Sequence, residues 1–346
     1  MGILKRILVI ESEYKTMEIT FNMTNICNLK CSYCIFVWLG SDAKVKTELI
    51  SSISELINFY TSKWELTSFT FAGWWEPTLF FDEIESIFEN LHLLHPHLAH
   101  FYIITNGVWY SKRISNLVNK FNIFLVLSLD GIKEEHDKNR VLNNGEGSFD
   151  NIMKNKELLF PDVTDVNYTI YYNNFEKLLE GVQFIVESIP KLRRLNFNFV
   201  FNHGKWTKEN LSTLRVKLLE FLVWYVKEKK FLNFETNLRN YAFVGTAKLD
   251  NACLSHLYLD KDGKIFKCGA YKFIEENFEF LWDLYKDSIP EIEEKRSKML
   301  WCGTKCSRSE YEVFNNLLKN SVLKEVGQKY VLIDGYIPDS RKKPIY

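Results

Sequence analysis

Apolar, β-branched and aromatic residues cluster in short runs at Ile7–Ile10, Met17–Phe21, Leu66–Phe71, His100–Ile104, Ile123–Leu129, Val163–Tyr171 and Leu195–Phe201. Runs of this length and composition predict strands. Between them, Val45–Tyr60, Phe81–Leu94, Ser111–Phe121 and Phe175–Ser188 space their apolar residues at helical intervals. Strand alternating with helix predicts a mostly parallel sheet with crossover helices, closed or partly closed like a barrel. In such sheets the reactive groups collect at the carboxyl ends of the strands.

The pattern changes near residue 205. A long helix is predicted from Glu209 to about Lys230, with an aromatic stretch at Phe221–Tyr225 that reads as core or interdomain contact. Two apolar runs, Leu257–Leu259 and Ile265–Cys268, flank Lys261-Asp-Gly263, and Asp-Gly between such runs predicts a hairpin. Pro290–Met299 reads as a helix with proline in its first turn. The expected division is a barrel over 1–204, a helical linker region over 205–252 and a smaller domain with a tail over 253–346.

Charge narrows the partners. The 44 Lys and Arg balance 44 Asp and Glu, so no net field draws in nucleic acid or anionic membrane. The N-terminal Met-Gly-Ile-Leu-Lys-Arg lacks the apolar run of a signal peptide, and no stretch has the length of a membrane span. A cytoplasmic location is expected, where thiols stay reduced. Seven cysteines there read as metal ligands more readily than as disulfides.

Three of them form Cys27-Asn-Leu-Lys-Cys31-Ser-Tyr-Cys34, just after the run Met17–Phe21. Three thiolates can hold three irons of a cubane and leave the fourth open to a small molecule. Zinc knuckles favour Cys-x2-Cys with a second Cys/His pair, and no such partner follows nearby. The spacing, with Tyr33 before the third cysteine, resembles the signature of the radical S-adenosylmethionine (SAM) superfamily. That resemblance implies a [4Fe–4S] cluster on Cys27, Cys31 and Cys34, SAM chelated at the open iron, and Tyr33 against the adenine. Reduction of the sulfonium would then release a 5′-deoxyadenosyl radical that takes hydrogen from a substrate carbon.

Further motifs follow in the family's order. Ala72-Gly73-Trp74-Trp75-Glu76-Pro77 resembles the Gly-Gly-Glu-Pro loop that binds the amino group of SAM, with tryptophan at both glycine positions. The resemblance places Gly73, Trp74, Trp75 and Glu76 at the cofactor; Trp74 and Trp75 read equally as packing at a strand end. Thr105-Asn-Gly107 and Ser128-Leu-Asp130-Gly131 resemble later strand ends, which implies that Thr105, Ser128 and Asp130 line the SAM pocket. His136-Asp137-Lys-Asn-Arg140 and Gly147-Ser148-Phe149 resemble the SPASM branch, which includes anaerobic sulfatase-maturating and ribosomal-peptide-modifying enzymes. Arg140 could clamp the SAM carboxylate or form a structural ion pair. Glu134-Glu-His-Asp137 reads as a helix start rather than an acid–base cluster.

Cys253-x9-Gly263-x4-Cys268 resembles the opening half of the SPASM motif, and Cys302-Gly-Thr-Lys-Cys306 adds two thiols. Four cysteines imply the shortened twitch form with one auxiliary [4Fe–4S] cluster; a four-thiolate zinc site is the alternative. The expected fold is therefore a partial (β/α)6 TIM-like barrel with a C-terminal SPASM/twitch-type iron–sulfur domain. Such an enzyme would act on a peptide side chain, by oxidation or crosslinking, with an electron donor such as flavodoxin or ferredoxin. Two alternatives stand: a radical dehydrogenase or epimerase of a small molecule such as an aminosugar, and a non-catalytic zinc or iron–sulfur protein. His92, His95, His97 and His100 cluster in sequence but read as helix-end residues rather than a metal site.

Overall fold

A computed structural model describes residues 16–22, 26–34, 47–63, 66–72, 76–95, 100–200, 205–228, 234–236, 256–260, 263–266 and 282–283. The expected strand at Ile7–Ile10 and helix at Pro290–Met299 lie outside these residues. Six strands, β1 (Thr16–Asn22), β2 (Leu66–Phe71), β3 (His100–Thr105), β4 (Phe124–Ser128), β5 (Val163–Ile170) and β6 (Arg194–Phe199), pair in parallel in chain order. The helices Thr47–Lys63, Phe81–Leu94, Lys112–Lys120 and Leu178–Ser188 lie between them in sequence. A short β7 (Glu235–Thr236) extends the β6 side after the long helix Lys208–Glu228.

The strands alternate between two faces, as the two-residue period of a strand requires. One face is apolar: Ile19, Phe21, Phe69, Phe71, Phe101, Ile103, Leu125, Leu127, Val166, Tyr168, Leu195 and Phe197 are buried in one core with the helices. The other face is largely polar and carries Glu18, Thr20, Thr70, Tyr102, Ser128, Asp165, Asn167, Thr169 and Asn196, with Ile104, Phe124 and Val126 among them. A barrel whose inner wall is polar has room for a polar ligand rather than a second apolar core. Arg193 stands at the amino-terminal end of β6. That guanidinium lies 3.8 Å over the Phe124 ring and bonds both oxygens of Asp165 at 3.2 Å.

The predicted hairpin forms: β8 (His256–Asp260) and β9 (Lys264–Phe266) are antiparallel, with Leu259 opposite Ile265 and Gly263 at φ +76°. Its placement was not foreseen. β8 pairs in parallel with β1, and β10 (Trp282–Asp283) pairs with β9. The sheet order is β10-β9-β8-β1-β2-β3-β4-β5-β6-β7, so the hairpin continues the barrel sheet. The aromatic stretch of the long helix is core: Phe221 meets Phe197 at 5.2 Å, and the Tyr225 hydroxyl donates to the Phe234 carbonyl at 3.1 Å.

Candidate active site

The loops leaving the carboxyl ends of β1 to β5 meet around the cysteine segment 26–34. This segment lies along residues 139–142 as an added edge: Lys30 N–H donates to the Val141 carbonyl at 2.7 Å and Ser32 N–H to the Asn139 carbonyl at 2.9 Å. Leu29 and Leu142 form an antiparallel bridge. The Cys34 amide turns back to the Cys31 carbonyl at 3.0 Å. The Leu29 amide donates to Cys27 Sγ at 3.4 Å.

Glu76 latches three loops together. Its amide donates to the Ile26 carbonyl at 3.0 Å. One carboxylate oxygen accepts from the Thr78 amide at 3.1 Å, the Thr78 hydroxyl at 2.7 Å and the Thr105 hydroxyl at 2.6 Å; the other accepts from the Asn106 amide at 2.6 Å. Burial raises the Glu76 carboxyl above its ordinary range, and the hydrogen bonds from Thr105, Asn106 and Thr78 oppose that. Thr105 also accepts from the Gly107 amide at 3.1 Å. Glu76 and Thr105, read from the sequence as pocket residues, thus commit these polar atoms to the loops. Asn106 completes the latch by donating to Asn28 at 2.7 Å.

A second network surrounds Asp130, which is fully buried. Its carboxylate accepts from the Tyr33 hydroxyl at 2.7 Å, Arg140 Nε at 2.9 Å, Arg140 Nη2 at 3.1 Å and the Thr169 amide at 2.8 Å. Arg140 Nη2 also donates to the Thr169 hydroxyl at 3.1 Å. Of the two readings for Arg140, the ion pair is present, while its Nη1 makes no hydrogen bond among the described residues. The guanidinium lies 5.4 Å from the Tyr33 ring centre. Burial pushes the Tyr33 phenol well above its usual value; Arg140 opposes this and the Asp130 charge adds to it.

The 130–149 segment is braced from within. The Asp130 amide donates to His136 Nδ1 at 3.2 Å, which leaves the His136 proton on Nε2, 2.9 Å from the Ser148 hydroxyl. That hydroxyl donates to the Arg140 carbonyl at 2.9 Å. Asp137 accepts from the Phe149 amide at 2.9 Å, and a Cβ on Gly147 would sit 2.1 Å from the Asp137 carboxyl carbon. The His136-Asp137 and Gly147-Ser148-Phe149 motifs are therefore two halves of one fastening. His136 and Glu135 are buried within this brace, in a short helix Lys133–His136, as the helix-start reading of the run expects.

The three thiols lie near one another, and burial lifts two of them above the ordinary thiol range. Burial, chiefly, raises Cys27 to about 11, with Glu76 and Cys34 adding to it. Burial raises Cys31 to about 12, opposed by Arg140 and reinforced by Cys27 and Cys34. No three Cys, His, Asp or Glu side chains among the described residues gather tightly enough for a single metal ion. A cubane instead takes each thiolate on a different iron, and three neighbouring thiols beside an Arg suit an anionic cluster. Ser128 is half-buried on the polar face beside Asn167. Gly73, Trp74, Trp75, Cys253, Cys268, Cys302 and Cys306 lie outside the described residues. The histidines diverge: His92 packs on Phe121 at 4.8 Å, His95 bonds Ser54 at 2.6 Å and His100 lies 5.5 Å from Phe124, while His97 is outside the described residues.

Sequence reasoning gave no role to Asn139, Val141, Ser148 or Thr169. The paired motifs pointed toward Ser148; Thr169, on the next strand, had no local signal.

An open parallel barrel with a three-cysteine loop leaving its first strand is the frame of a radical SAM domain. Residues 21–185 match the Radical SAM superfamily. The chain carries a radical SAM domain over these residues, of a superfamily that uses SAM and a [4Fe–4S] cluster to abstract hydrogen atoms. It is 27% identical over 273 residues to a cysteine-type anaerobic sulfatase-maturating enzyme of Clostridium novyi (strain NT), covering 71% of each chain. Its fold is similar to that of native anSMEcpe with bound AdoMet and Kp18Cys peptide, at TM-score 0.65 and 19% identity, covering 81% of this chain and 80% of that one. It is also similar to Streptococcus suis SuiB bound to precursor peptide SuiA, at TM-score 0.57 and 16% identity, covering 81% and 65%.

Proposed function

We propose that Cys27, Cys31 and Cys34 hold the cluster that reduces SAM, and that the enzyme takes a hydrogen atom from a peptide side chain for oxidation or crosslinking. The observation that carries this is the cysteine turn, fixed across the strand ends beside an Arg140 whose Nη1 makes no hydrogen bond among the described residues. That Nη1 supplies donors for the SAM carboxylate while Asp130 holds the guanidinium in place. Tyr33 would hold the adenine, Ser128 would offer its hydroxyl from the polar wall, and Gly73, Trp74 and Trp75 are assigned to the amino group from their motif alone. When bound, SAM and the cluster supply a 5′-deoxyadenosyl radical. The protein's part is to position both and to exclude water.

The peptide substrate is supported by the two solved neighbours, each of which binds a peptide. We assign Cys253, Cys268, Cys302 and Cys306 to one auxiliary [4Fe–4S] cluster in a twitch-type domain over 253–346, with the barrel over 1–204. Reduction by flavodoxin or ferredoxin in the cytoplasm fits this chemistry. No described helix is long and apolar enough to cross a membrane.

The test is anaerobic reconstitution with iron and sulfide, followed by dithionite and SAM. 5′-Deoxyadenosine should form in the parent and fall to background in Cys27→Ala, Cys31→Ala and Cys34→Ala. Cysteine-containing peptides should raise its yield and lose two hydrogens by mass. Stimulation by an aminosugar instead would move the substrate to the small-molecule class, and bound zinc without iron would refute the enzyme reading.

A further inference from the structure

Asn139 is 1% exposed and bridges the cysteine turn to the loop that follows β5. Its Oδ1 accepts from the Ser32 hydroxyl at 2.6 Å, and its Nδ2 donates to Asn173 Oδ1 at 2.9 Å. Its carbonyl accepts from the Ser32 amide at 2.9 Å. Ser32 stands between Cys31 and Cys34, and Asn173 lines a cleft of about 270 Å³ with Tyr172, Phe175, Glu176, Thr207 and Asn210. A buried amide needs its partners, because losing one leaves a desolvated polar group. The exposed Ser32 could turn to water, yet its bond to Asn139 is short.

We propose that Asn139 is a positioning residue for the cluster-bearing turn, holding Ser32, and with it the thiols of Cys31 and Cys34, at a fixed distance from the β5 loop. This rests on the reading that Cys27, Cys31 and Cys34 bind a cluster. Groups just outside a metal's ligands orient those ligands and tune the metal, and their loss weakens metal binding on the order of tenfold or more. Arg140 and Tyr33 fix the turn from the Asp130 side, and Asn139 fixes it from the other. The bridge also joins the turn to the wall of the cleft.

The test uses the full chain after anaerobic reconstitution. Its readouts are iron and sulfide content, iron loss to bathophenanthroline, and the electron paramagnetic resonance signal of the dithionite-reduced protein with and without SAM. Asn139→Ala and Ser32→Ala should each speed iron loss on the order of tenfold and shift the SAM-dependent signal in the same direction. The double variant should match Asn139→Ala alone, since both remove one interaction. Ser32→Thr, which keeps the hydroxyl, should restore both readouts. The proposal falls if Ser32→Ala behaves like the parent, or if Ser32→Thr is as impaired as Ser32→Ala. If Asn139→Ala does not fold, the Ser32 pair decides. A parent that binds no iron would overturn the cluster reading itself, and this proposal with it.

Discussion

At the residue scale the site depends on a few buried polar groups that hold one another. Asp130 and Arg140 form an ion pair with side-chain exposures of 0% and 8%. Replacing one partner leaves the other charge buried, so Asp130→Ala should destabilise the fold by about 3–5 kcal/mol, read by urea unfolding. His136 gives a pH signature. Its burial, with Arg140 and Lys133 nearby, lowers its folded pKa well below 6.5. The unfolded chain therefore takes up the His136 proton first as pH falls. The stability this group contributes is complete above about pH 6.5 and is lost progressively below it. His136→Asn keeps an acceptor for the Asp130 amide but does not titrate. It should flatten the decline in melting temperature between about pH 6.5 and 5 relative to the parent. The sequence motif marked His136, Asp137 and Arg140 as a set, but not what they do. That Cys27, Cys31 and Cys34 come together was legible because three cysteines within eight residues of one turn can hardly lie far apart. Asn139 was not, since an asparagine makes its bonds through tertiary neighbours that no local pattern encodes.

At the scale of elements, the loops after β1, β2 and β3 form one unit through Glu76. Glu76→Gln keeps the size but turns an NH2 toward groups that are themselves donors. An unmet buried hydrogen bond costs about 1–3 kcal/mol. The variant should lose about that much stability by urea unfolding and make residues 26–34 easier to cleave by protease. Gly147→Ala belongs to this scale too, because its methyl meets the Asp137 carboxyl. Relief of the clash must separate residues 137–140 from 147–149, and a loss of about 1–3 kcal/mol is expected from calorimetry. The main strands and helices were legible from periodicity, to within a few residues at their ends. The helix expected from Phe175 begins at Leu178, after a turn in which Leu178 N–H meets the Phe175 carbonyl at 3.2 Å. The short helices Lys133–His136, Phe149–Lys154 and Lys156–Leu159 have too few turns to show a period, and buried side chains and tertiary bonds hold them.

At the scale of the whole molecule, strand order explains why the cysteine turn sits where it does. Pairing of β8 with β1 was invisible in the sequence, since parallel strands more than 200 residues apart leave no turn signal between them. A chain cut after residue 250 would bare the β1 edge from Glu18 to Asn22. Unpaired edges recruit other chains, so that fragment should self-associate in size-exclusion chromatography while the full chain elutes at a smaller size. With β8 in place, β1 has six strands to one side and three to the other. Fraying starts at rims and rarely reaches a sheet's middle. The backbone amides of Ile19 to Phe21 should therefore be among the last to exchange with deuterium, and the segment that delivers the sulfurs is rooted in the slowest-opening part of the protein.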